Sequence, residues 1–135
     1  MMYTNTGDRK YLDAAEKVSR FFINQLEEDF VPAWDFAAPN KELKDTSAGA
    51  VVACGMLEIS KYAEDKDFYI ENAKKLVNAL CEKCGNLDND SQSILNNATG
   101  SFPVNKEIDV GLIYGDYYLT EAVYRLVSGE NEMVW

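Results

Sequence analysis

The side chains that can carry acid–base chemistry in this 135-residue chain are carboxylates, tyrosines and lysines, because the chain has no histidine. That absence excludes Ser-His and Cys-His nucleophile pairs and a histidine general base. Asp35 and Asp45 are candidate acids of a site, and Asp109 and Asp116 flank an aromatic segment near the end of the chain. We expect Asp45 to cap a helix rather than to act as an acid. Asp116 should have a partner, either Arg125 or a backbone donor from another hairpin, because a buried carboxylate without a donor is costly.

Metal and redox chemistry find little support in the three cysteines, Cys54, Cys81 and Cys84. Cys81 and Cys84 form a C-x-x-C pair, but a four-ligand zinc site would need a second pair or histidines. We interpret them as two thiols near the end of a helix, and we predict neither a metal nor an organic cofactor. An odd number of cysteines in a chain of this size also indicates a reducing compartment rather than a disulfide framework.

The spacing of apolar side chains predicts the helices that must position these residues. Asp8 should cap the first helix, Asp45 or Thr46 the second, and Asp67 the third. The first and third helices are amphipathic, with charged residues on one face, whereas the second and fourth are apolar or small all round. The predicted helices cover residues 9–28, 47–63, 67–84 and 110–127.

The alternation of amphipathic and apolar helices predicts two layers, with the apolar helices inside. The connection between the second and third helices is short, residues 64–67, whereas the other two, residues 29–44 and 85–109, are long. Since the long loops all lead from the outer layer to the inner one, they should collect at one end, where long loops often carry function. The arrangement requires Val51, Val52 and Ile113 to be covered.

A weak internal repeat accompanies this alternation and indicates a hairpin of about 60 residues as the unit. The chain holds about two such units, and residues 1–3 read as the last turn of a preceding helix. We therefore expect the natural start of the fold to lie upstream. The repeat matches Tyr3, Asp8 and Ala14 with Tyr62, Asp67 and Ala73.

The bulk properties restrict the partners and the location of the protein. The formal net charge is −10 and the 13 Lys and Arg residues are scattered, which disfavours binding to nucleic acid. No apolar run is long enough to span a bilayer, and the first residues do not read as a signal peptide. We predict a cytoplasmic protein without a membrane partner, although a signal peptide on a missing N-terminal part stays open.

Two long segments carry a resemblance to a known family. Residues 32–39, PAWDFAAP, and residues 45–50, DTSAGA, resemble the P-x-W-D-F-x-A-P and D-[ST]-S-A-x-A signature of glycoside hydrolase family 88, the unsaturated glucuronyl hydrolases. Residues 97–126, which include NATG and IDVGLIYGDYY, resemble the closing loop and last inner helix of that family. The order and the spacing fit, and the two segments span most of the chain.

The resemblance implies an all-α fold of antiparallel helical hairpins, a partial (α/α)6 toroid. Residues 1–135 would be the C-terminal part of this single domain, about two of its six hairpins. Enzymes of the family remove an unsaturated uronic acid from the non-reducing end of lyase-derived oligosaccharides. Water adds across the C4=C5 double bond, with an aspartate as general acid and base, and the resulting hemiketal opens to release the neighbouring sugar.

The family's two catalytic aspartates, and the Arg and Trp segment that holds the uronate, lie upstream of the matching residues. We therefore assign no catalytic residue to this chain. In the family, the loop equivalent to residues 97–105 reaches the sugar, so Thr99 and Ser101 are candidate hydrogen-bond donors, although such residues also form turns for backbone reasons. Asn97 is a further candidate, and it departs from the family, which often has His at that position.

Aromatic residues supply the other candidates for substrate binding. Trp34 could stack on a sugar face, although a Trp in a loop also commonly anchors the loop. Tyr114 and Tyr118, four residues apart, could point together into a central cleft, although tyrosines at this spacing also pack in cores.

Three functions follow from these observations. The first is an unsaturated uronyl hydrolase, which would bind an unsaturated uronyl oligosaccharide as the intact enzyme and would be inactive as this fragment. The second is the related unsaturated rhamnogalacturonyl hydrolase. The third is a non-catalytic helical-hairpin module that binds carbohydrate or protein. Two hairpins alone would expose the apolar face of an inner helix, so we expect the fragment to self-associate or to need the missing hairpins.

Overall fold

The computed structural model describes residues 2–87 and 92–129, and every regular element within those residues is a helix. The predicted all-α class is therefore confirmed. None of the described helices is long and apolar enough to cross a bilayer. The elements are α1 (Met2–Thr6), α2 (Arg9–Gln25), α3 (Thr46–Ile59), α4 (Lys66–Cys84), a single 3-10 turn (Phe102–Val104) and α5 (Ile113–Ser128).

Helix α2 begins as predicted, because the Asp8 carboxylate accepts a hydrogen bond from the Lys10 N–H at 3.1 Å. It ends at Gln25, three residues before the predicted end, because Leu26 has extended backbone angles. The predicted inward position of Val18 is wrong, since this side chain is 65% exposed. Helix α2 makes few contacts with α3, so only a narrow face of it is covered.

Helix α3 is the centre of the fold and packs against both α4 and α5. Glycines allow this close approach: a Cβ on Gly49 would lie 3.3 Å from Leu80 of α4, and a Cβ on Gly115 of α5 would lie 3.2 Å from the Cβ of Ser47. Asp45 occupies the N-cap position, as predicted. Its carboxylate accepts from the Ser47 hydroxyl at 2.6 Å and makes no hydrogen bond to the backbone of the helix.

Helix α4 begins at Lys66 after Asp65, so the prediction that Asp67 caps it is wrong. Asp67 lies in the first turn, where a carboxylate still interacts favourably with the helix dipole. The capping positions of the two outer helices, Asp8 and Asp65, are therefore 57 residues apart rather than 59. The predicted inward residues are all buried, namely Tyr69, Ala73, Leu76, Val77 and Leu80.

The prediction that both inner helices are buried on every side is correct for most of α3 and wrong for α5. Val51 of α3 is 39% exposed, whereas Ile113 and Val127 of α5 are 86% and 82% exposed. Helix α5 packs on α3 along one side and touches α4 lightly. An inner helix needs neighbours on several sides to lose its apolar surface to water, and the described residues supply them on one side of α5 only.

A buried ion cluster joins α3 and α5 near their C-terminal ends. The Arg125 side chain is fully buried and lies 3.3 Å from the Glu58 carboxylate and 3.5 Å from the Glu121 carboxylate. It also donates to the backbone oxygen of Cys54 at 3.4 Å. Because a buried charge without a partner is costly, this cluster holds the two helices in one register.

Candidate functional site

The two long loops meet at the start of α3. The Thr46 N–H donates to the Asn97 carbonyl at 3.3 Å, and the Thr46 hydroxyl donates to the Asn96 carbonyl at 2.6 Å. The first loop folds back on itself, since the Trp34 N–H donates to the Leu43 carbonyl at 2.9 Å. The prediction that the long loops collect at one end of the helices is therefore confirmed.

The second loop is a tight hairpin between residues 98 and 110. Ala98 and Val110 exchange two backbone hydrogen bonds of 2.8 and 2.9 Å, and a further pair closes the tip of the hairpin. Left-handed backbone angles, with φ between 52° and 60°, occur at three of its residues, Asn105, Glu107 and Asp109, and at Asn97 just before it. Asn and Asp tolerate this conformation better than most residues. The hairpin therefore has one defined conformation, set by paired hydrogen bonds and turn residues.

A cavity of about 630 Å³ opens between the two loops. Its aromatic wall is the pair Trp34 and Phe102, whose ring centroids lie 5.1 Å apart at 49°. Both rings are partly exposed, so the pair leaves aromatic surface for a ligand. The cavity is lined by Trp34, Asp35, Ala38, Pro39, Asn40, Glu42, Leu43, Lys44, Asn97, Phe102, Ile108 and Asp109.

Carboxylates and the amides of Asn40 and Asn97 form the polar wall of this cavity. The Asp109 carboxylate accepts from the Asn97 side-chain amide at 2.8 Å, and the Asp35 carboxylate accepts from the Ala37 N–H at 2.8 Å. Thr99 lies behind them, 2% exposed, and its hydroxyl accepts from the Asp109 N–H at 3.5 Å. Each carboxylate keeps acceptor capacity for a ligand, because one carboxylate group can accept several hydrogen bonds.

Lys44 is the positively charged residue of the cavity lining, and its ammonium is paired with groups that lie outside the lining. Its ammonium lies 2.7 Å from the Asp29 carboxylate and donates to the Val31 carbonyl at 3.3 Å. Partial burial works to raise the pKa of Asp29, but the Lys44 ion pair and the Val31 N–H outweigh it and hold that pKa below its ordinary value. Asp29 therefore stays ionised and keeps Lys44 turned toward it.

Asp116, in the first turn of α5, anchors the segment of the second loop that leads into this hairpin. Its carboxylate accepts from the N–H groups of Ile94 and Leu95 at 3.1 and 2.8 Å and from the Ser93 hydroxyl at 3.2 Å. Asp116 does have backbone partners, but the expectation that they come from another hairpin is wrong, because Ile94 and Leu95 lie in the loop that leads into α5 itself. Arg125 belongs to the ion cluster instead. A carboxylate at a helix N-terminus is also favoured by the helix dipole.

The candidate substrate-binding residues fall into two groups, those of the two loops and the tyrosines of α5. Trp34 and Asn97 line the cavity, and Ser101 lies in the same hairpin beside Phe102. Thr99 is buried beneath the hairpin. Phe102 was expected in the packed loops around a site but was not named as a binding residue, although a Phe beside a Pro in a long loop was an available signal.

The tyrosine candidates lie on α5, away from the cavity lining. Tyr114 is 43% exposed, whereas Tyr118 packs against the core and edge-on against Tyr117, with centroids 5.1 Å apart. The sequence analysis missed a second depression of about 700 Å³ on the free face of α5. The spacing of four and seven residues between Ile113, Tyr117 and Tyr124, which places them on one face of a helix, was its signal.

The cysteines do not contribute to the cavity. Burial raises the pKa of the Cys54 thiol to about 12, and the thiol lies 3.1 Å from the backbone oxygen of Tyr118. Cys81 is exposed on α4 and Cys84 is buried. Among residues 2–87 and 92–129, no three His, Cys, Asp or Glu side chains are grouped so that they could hold a metal ion.

Comparison with known proteins gives related sequences and structures, whereas no protein-family model matches. The chain is 37% identical to the unsaturated glucuronyl hydrolase of Formosa agariphila over 131 residues, which is 93% of this chain and 32% of that protein. Its structure is similar to that of the unsaturated glucuronyl hydrolase of Bacillus sp. GL1, with a TM-score of 0.90 and 30% identity over 94% of this chain and 36% of the other.

A variant of the Streptococcus agalactiae enzyme complexed with dGlcA-GalNAc6S is similar to the same extent. Its TM-score is 0.90 and its identity 29%, over 99% of this chain and 37% of the other. The chain thus spans about a third of the length of the relatives it matches. These similarities favour the uronyl hydrolase over the other two functions considered above.

Proposed function

We propose, because this chain belongs to the family of the unsaturated glucuronyl hydrolases, that it forms one wall of a cleft that binds an unsaturated uronyl saccharide. In the intact protein, the reaction would be hydration of the C4=C5 double bond of the terminal uronic acid, followed by release of the neighbouring sugar. The observation that carries this proposal is the cavity between the two loops, which combines an aromatic pair with hydrogen-bonding groups. Such a mixture of apolar wall and few polar groups is typical of ligand sites.

Each side chain of the cavity has a role in this proposal. Trp34 and Phe102 supply a face for the apolar side of a pyranose, while the Asp109 carboxylate and the Asn97 amide accept from and donate to its hydroxyl groups. Ser101, beside them in the hairpin, supplies a further hydroxyl. Thr99 acts through Asp109, because its buried hydroxyl supports the Asp109 N–H.

Helix α5 has a separate role in the proposal. Tyr114, exposed in the first turn, is a proposed contact for a longer saccharide. Tyr118 packs in the core and supports that turn from below. Catalysis itself requires a general acid and base, and the proposal places those carboxylates on the part of the protein that this chain does not include.

The proposal also concerns the arrangement of the domain. The chain would be the C-terminal third of a six-hairpin toroid, with α3 and α5 in the inner layer and α2 and α4 in the outer layer. The shares of 32% to 37% of the relatives' lengths support this size. The exposed apolar face of α5, with Ile113, Tyr117 and Tyr124, supports it as well, because a face of this kind is normally covered. In the intact protein, the remaining hairpins of the same toroid would cover this face of α5.

Binding by the chain tests the cavity. Saturation-transfer NMR with an unsaturated uronyl disaccharide should show contacts that are strong for the wild-type chain, weak for Trp34→Ala and largely kept for Trp34→Phe. Phe21→Ala removes a more exposed aromatic side chain from α2, outside the cavity lining, and serves as the control. Equal binding by wild type and Trp34→Ala would contradict the assignment of this cavity to the substrate.

Turnover tests where the catalytic residues lie, and self-association tests whether the apolar face of α5 is uncovered. The chain alone should leave the ultraviolet absorbance of the disaccharide unchanged, and activity should appear when the rest of a homologous enzyme is supplied. Turnover by the chain alone would show that the catalytic residues lie within it. Light scattering should find dimers or larger species that bind a hydrophobic dye, and a dye-free monomer at high concentration would contradict an uncovered α5 face.

A further inference from the structure

The uncovered face of α5 has the spacing of a coiled-coil seam. Its positions follow one another at intervals of four, three, four and three residues, which is the heptad interval of paired helices. They are Ile113, Tyr117, Thr120, Tyr124 and Val127. Ile113 and Val127, at the two ends, are 86% and 82% exposed, and the two tyrosines between them are 44% and 45% exposed. A second helix can therefore lie along this face at a small crossing angle.

The charges beside the seam do not oppose a partner helix. Two carboxylates, Asp116 and Glu121, line the depression on this face. Glu121 is 4% exposed, and its carboxylate lies 3.5 Å from the Arg125 guanidinium, which compensates its charge. The Asp116 carboxylate is engaged by the loop before α5, where it accepts hydrogen bonds from two backbone N–H groups. The surface left for a partner is apolar and aromatic, with the Thr120 hydroxyl at its centre.

We propose that, when the chain is on its own, a second copy covers this face, with the two α5 helices antiparallel about a two-fold axis at Thr120. Ile113 of one copy then meets Val127 of the other, and Tyr117 meets Tyr124. The Thr120 side chains, the smallest of the seam, face each other at the axis, where the two backbones approach most closely. The seam is self-complementary in this orientation, as a two-fold interface requires.

The antiparallel orientation follows from the charges at the two ends of α5. The second loop leads into the start of the helix and carries Glu107 and Asp109 at that end. Parallel helices would bring the two acidic loops together, whereas antiparallel helices place them at opposite ends of the dimer. The helix dipoles also oppose each other in the antiparallel pair, which is the favourable arrangement.

The area of the seam is that of a weak dimer. The exposed fractions of its side chains correspond to roughly 500 Å² per copy, or about 1,000 Å² for the pair. Stable interfaces bury about 1,200 to 2,000 Å², so this one lies at the lower limit, and we expect a dissociation constant on the order of 10 to 100 µM. Each copy has a formal charge of −10, so salt should strengthen the association by screening the repulsion between them.

A charge at the centre of the seam tests the interface. In Thr120→Arg, two guanidinium groups would face each other at the axis, so association should weaken at least about tenfold by sedimentation equilibrium. Thr120 is exposed, so the substitution should leave the helical circular dichroism unchanged. Asn78→Arg makes the same change of charge at an exposed position of α4 and is the matched control, with an unchanged dissociation constant expected.

Disulfide trapping tests the orientation. Cys81→Ser serves as the background, because it removes the exposed cysteine, while Cys54 and Cys84 are buried. Ile113→Cys mixed with Val127→Cys should form a disulfide-linked pair in oxidised glutathione, and either variant alone should form far less, because their sulfur atoms would lie at opposite ends of the dimer. Thr120→Cys should link to itself.

The results separate this inference from the sugar-binding role of the cavity, on which it does not depend. A chain that pairs as described but binds no disaccharide would contradict the proposed function and support the pairing. A monomer that binds the hydrophobic dye at concentrations well above the expected dissociation constant would show an uncovered face without a second copy, and the inference would be wrong. Equal effects of Thr120→Arg and Asn78→Arg, or Ile113→Cys that links to itself as readily as to Val127→Cys, would also overturn it.

Discussion

Asp116 holds the loop that carries half of the candidate site, so its removal should destabilise the chain more than the loss of an ordinary surface carboxylate. In Asp116→Ala, the N–H groups of Ile94 and Leu95 and the hydroxyl of Ser93 lose an acceptor at 2.8 to 3.2 Å. Ile94 is exposed, and water can replace its partner. Leu95 is 1% exposed, and its N–H has much less access to water.

The magnitude follows from these different degrees of burial. A hydrogen bond to a charged acceptor contributes about 1.5 to 3 kcal/mol, and a buried donor that is left without a partner costs about 1 to 3 kcal/mol. We count the Leu95 N–H in full and the two more exposed donors as replaced by water. The expected loss in the free energy of unfolding is then about 2 kcal/mol, with a further few tenths from the helix dipole.

Urea denaturation followed by circular dichroism measures this loss, and Asp67→Ala is the matched control. Asp67 is also a carboxylate in the first turn of a helix, but it is exposed and no described side chain or backbone group bonds to it. Its substitution should cost only the dipole contribution, about 0.5 kcal/mol. Asp116→Asn should lie between the two, because the amide keeps one acceptor oxygen. Equal losses for Asp116→Ala and Asp67→Ala would refute the reasoning, as would unchanged hydrogen exchange at Leu95.

Three other substitutions or treatments test the packing. Gly115→Ala should destabilise the chain by about 1 to 3 kcal/mol, because the new methyl group meets α3 at 3.2 Å. Gly55→Ala has open space around it and should stabilise the chain by about 0.5 to 1 kcal/mol. Thermal unfolding compares the two variants. Arg125→Met removes the buried cation that contacts both Glu58 and Glu121; Glu58 keeps Lys61 at 2.6 Å, but the buried Glu121 loses this cation. The variant should lose about 3 to 5 kcal/mol by urea denaturation, and a loss below about 1 kcal/mol would contradict a structural ion cluster. Iodoacetamide should alkylate the exposed Cys81 in the folded chain and reach Cys54 only after unfolding. Burial is the reason, since it shields the Cys54 thiol and raises its pKa to about 12. Mass spectrometry identifies the modified thiol.

The sequence predicted the helices well because their signals are local. The inward face of α4 was read correctly from one helical period, and Asp8 from the chemistry of capping. The error at Asp67 arose because Asp65 and Asp67 are both suitable caps, and the repeat favoured the wrong one. The error at Val18 has a different cause. Periodicity shows which side of a helix is apolar, but it does not show how much of that side a neighbouring element covers.

The site was less accessible to sequence reasoning because its geometry depends on contacts between distant segments. Trp34 and Asn97 were named from their loops, but nothing local indicates that Phe102 would lie 5.1 Å from Trp34. The role of Thr99 was similarly hidden, because a hydroxyl that donates to a sugar and one that supports a turn have the same sequence signature. The left-handed backbone of Glu107 could not be foreseen, since Glu seldom adopts it.

The anchoring of the second loop also bears on binding. Asp116 fixes the loop segment that leads to Asn97, and the paired hydrogen bonds of the hairpin fix Asp109 opposite it at 2.8 Å. The loop is therefore ordered by folding, before any sugar arrives, and little conformational entropy remains to be lost on binding. A substitution at Asp116 would loosen Asn97 and Asp109 together without touching a bound sugar. The affinity of the cavity should consequently depend on Asp116, even though this carboxylate lies outside the cavity and acts only through the loop.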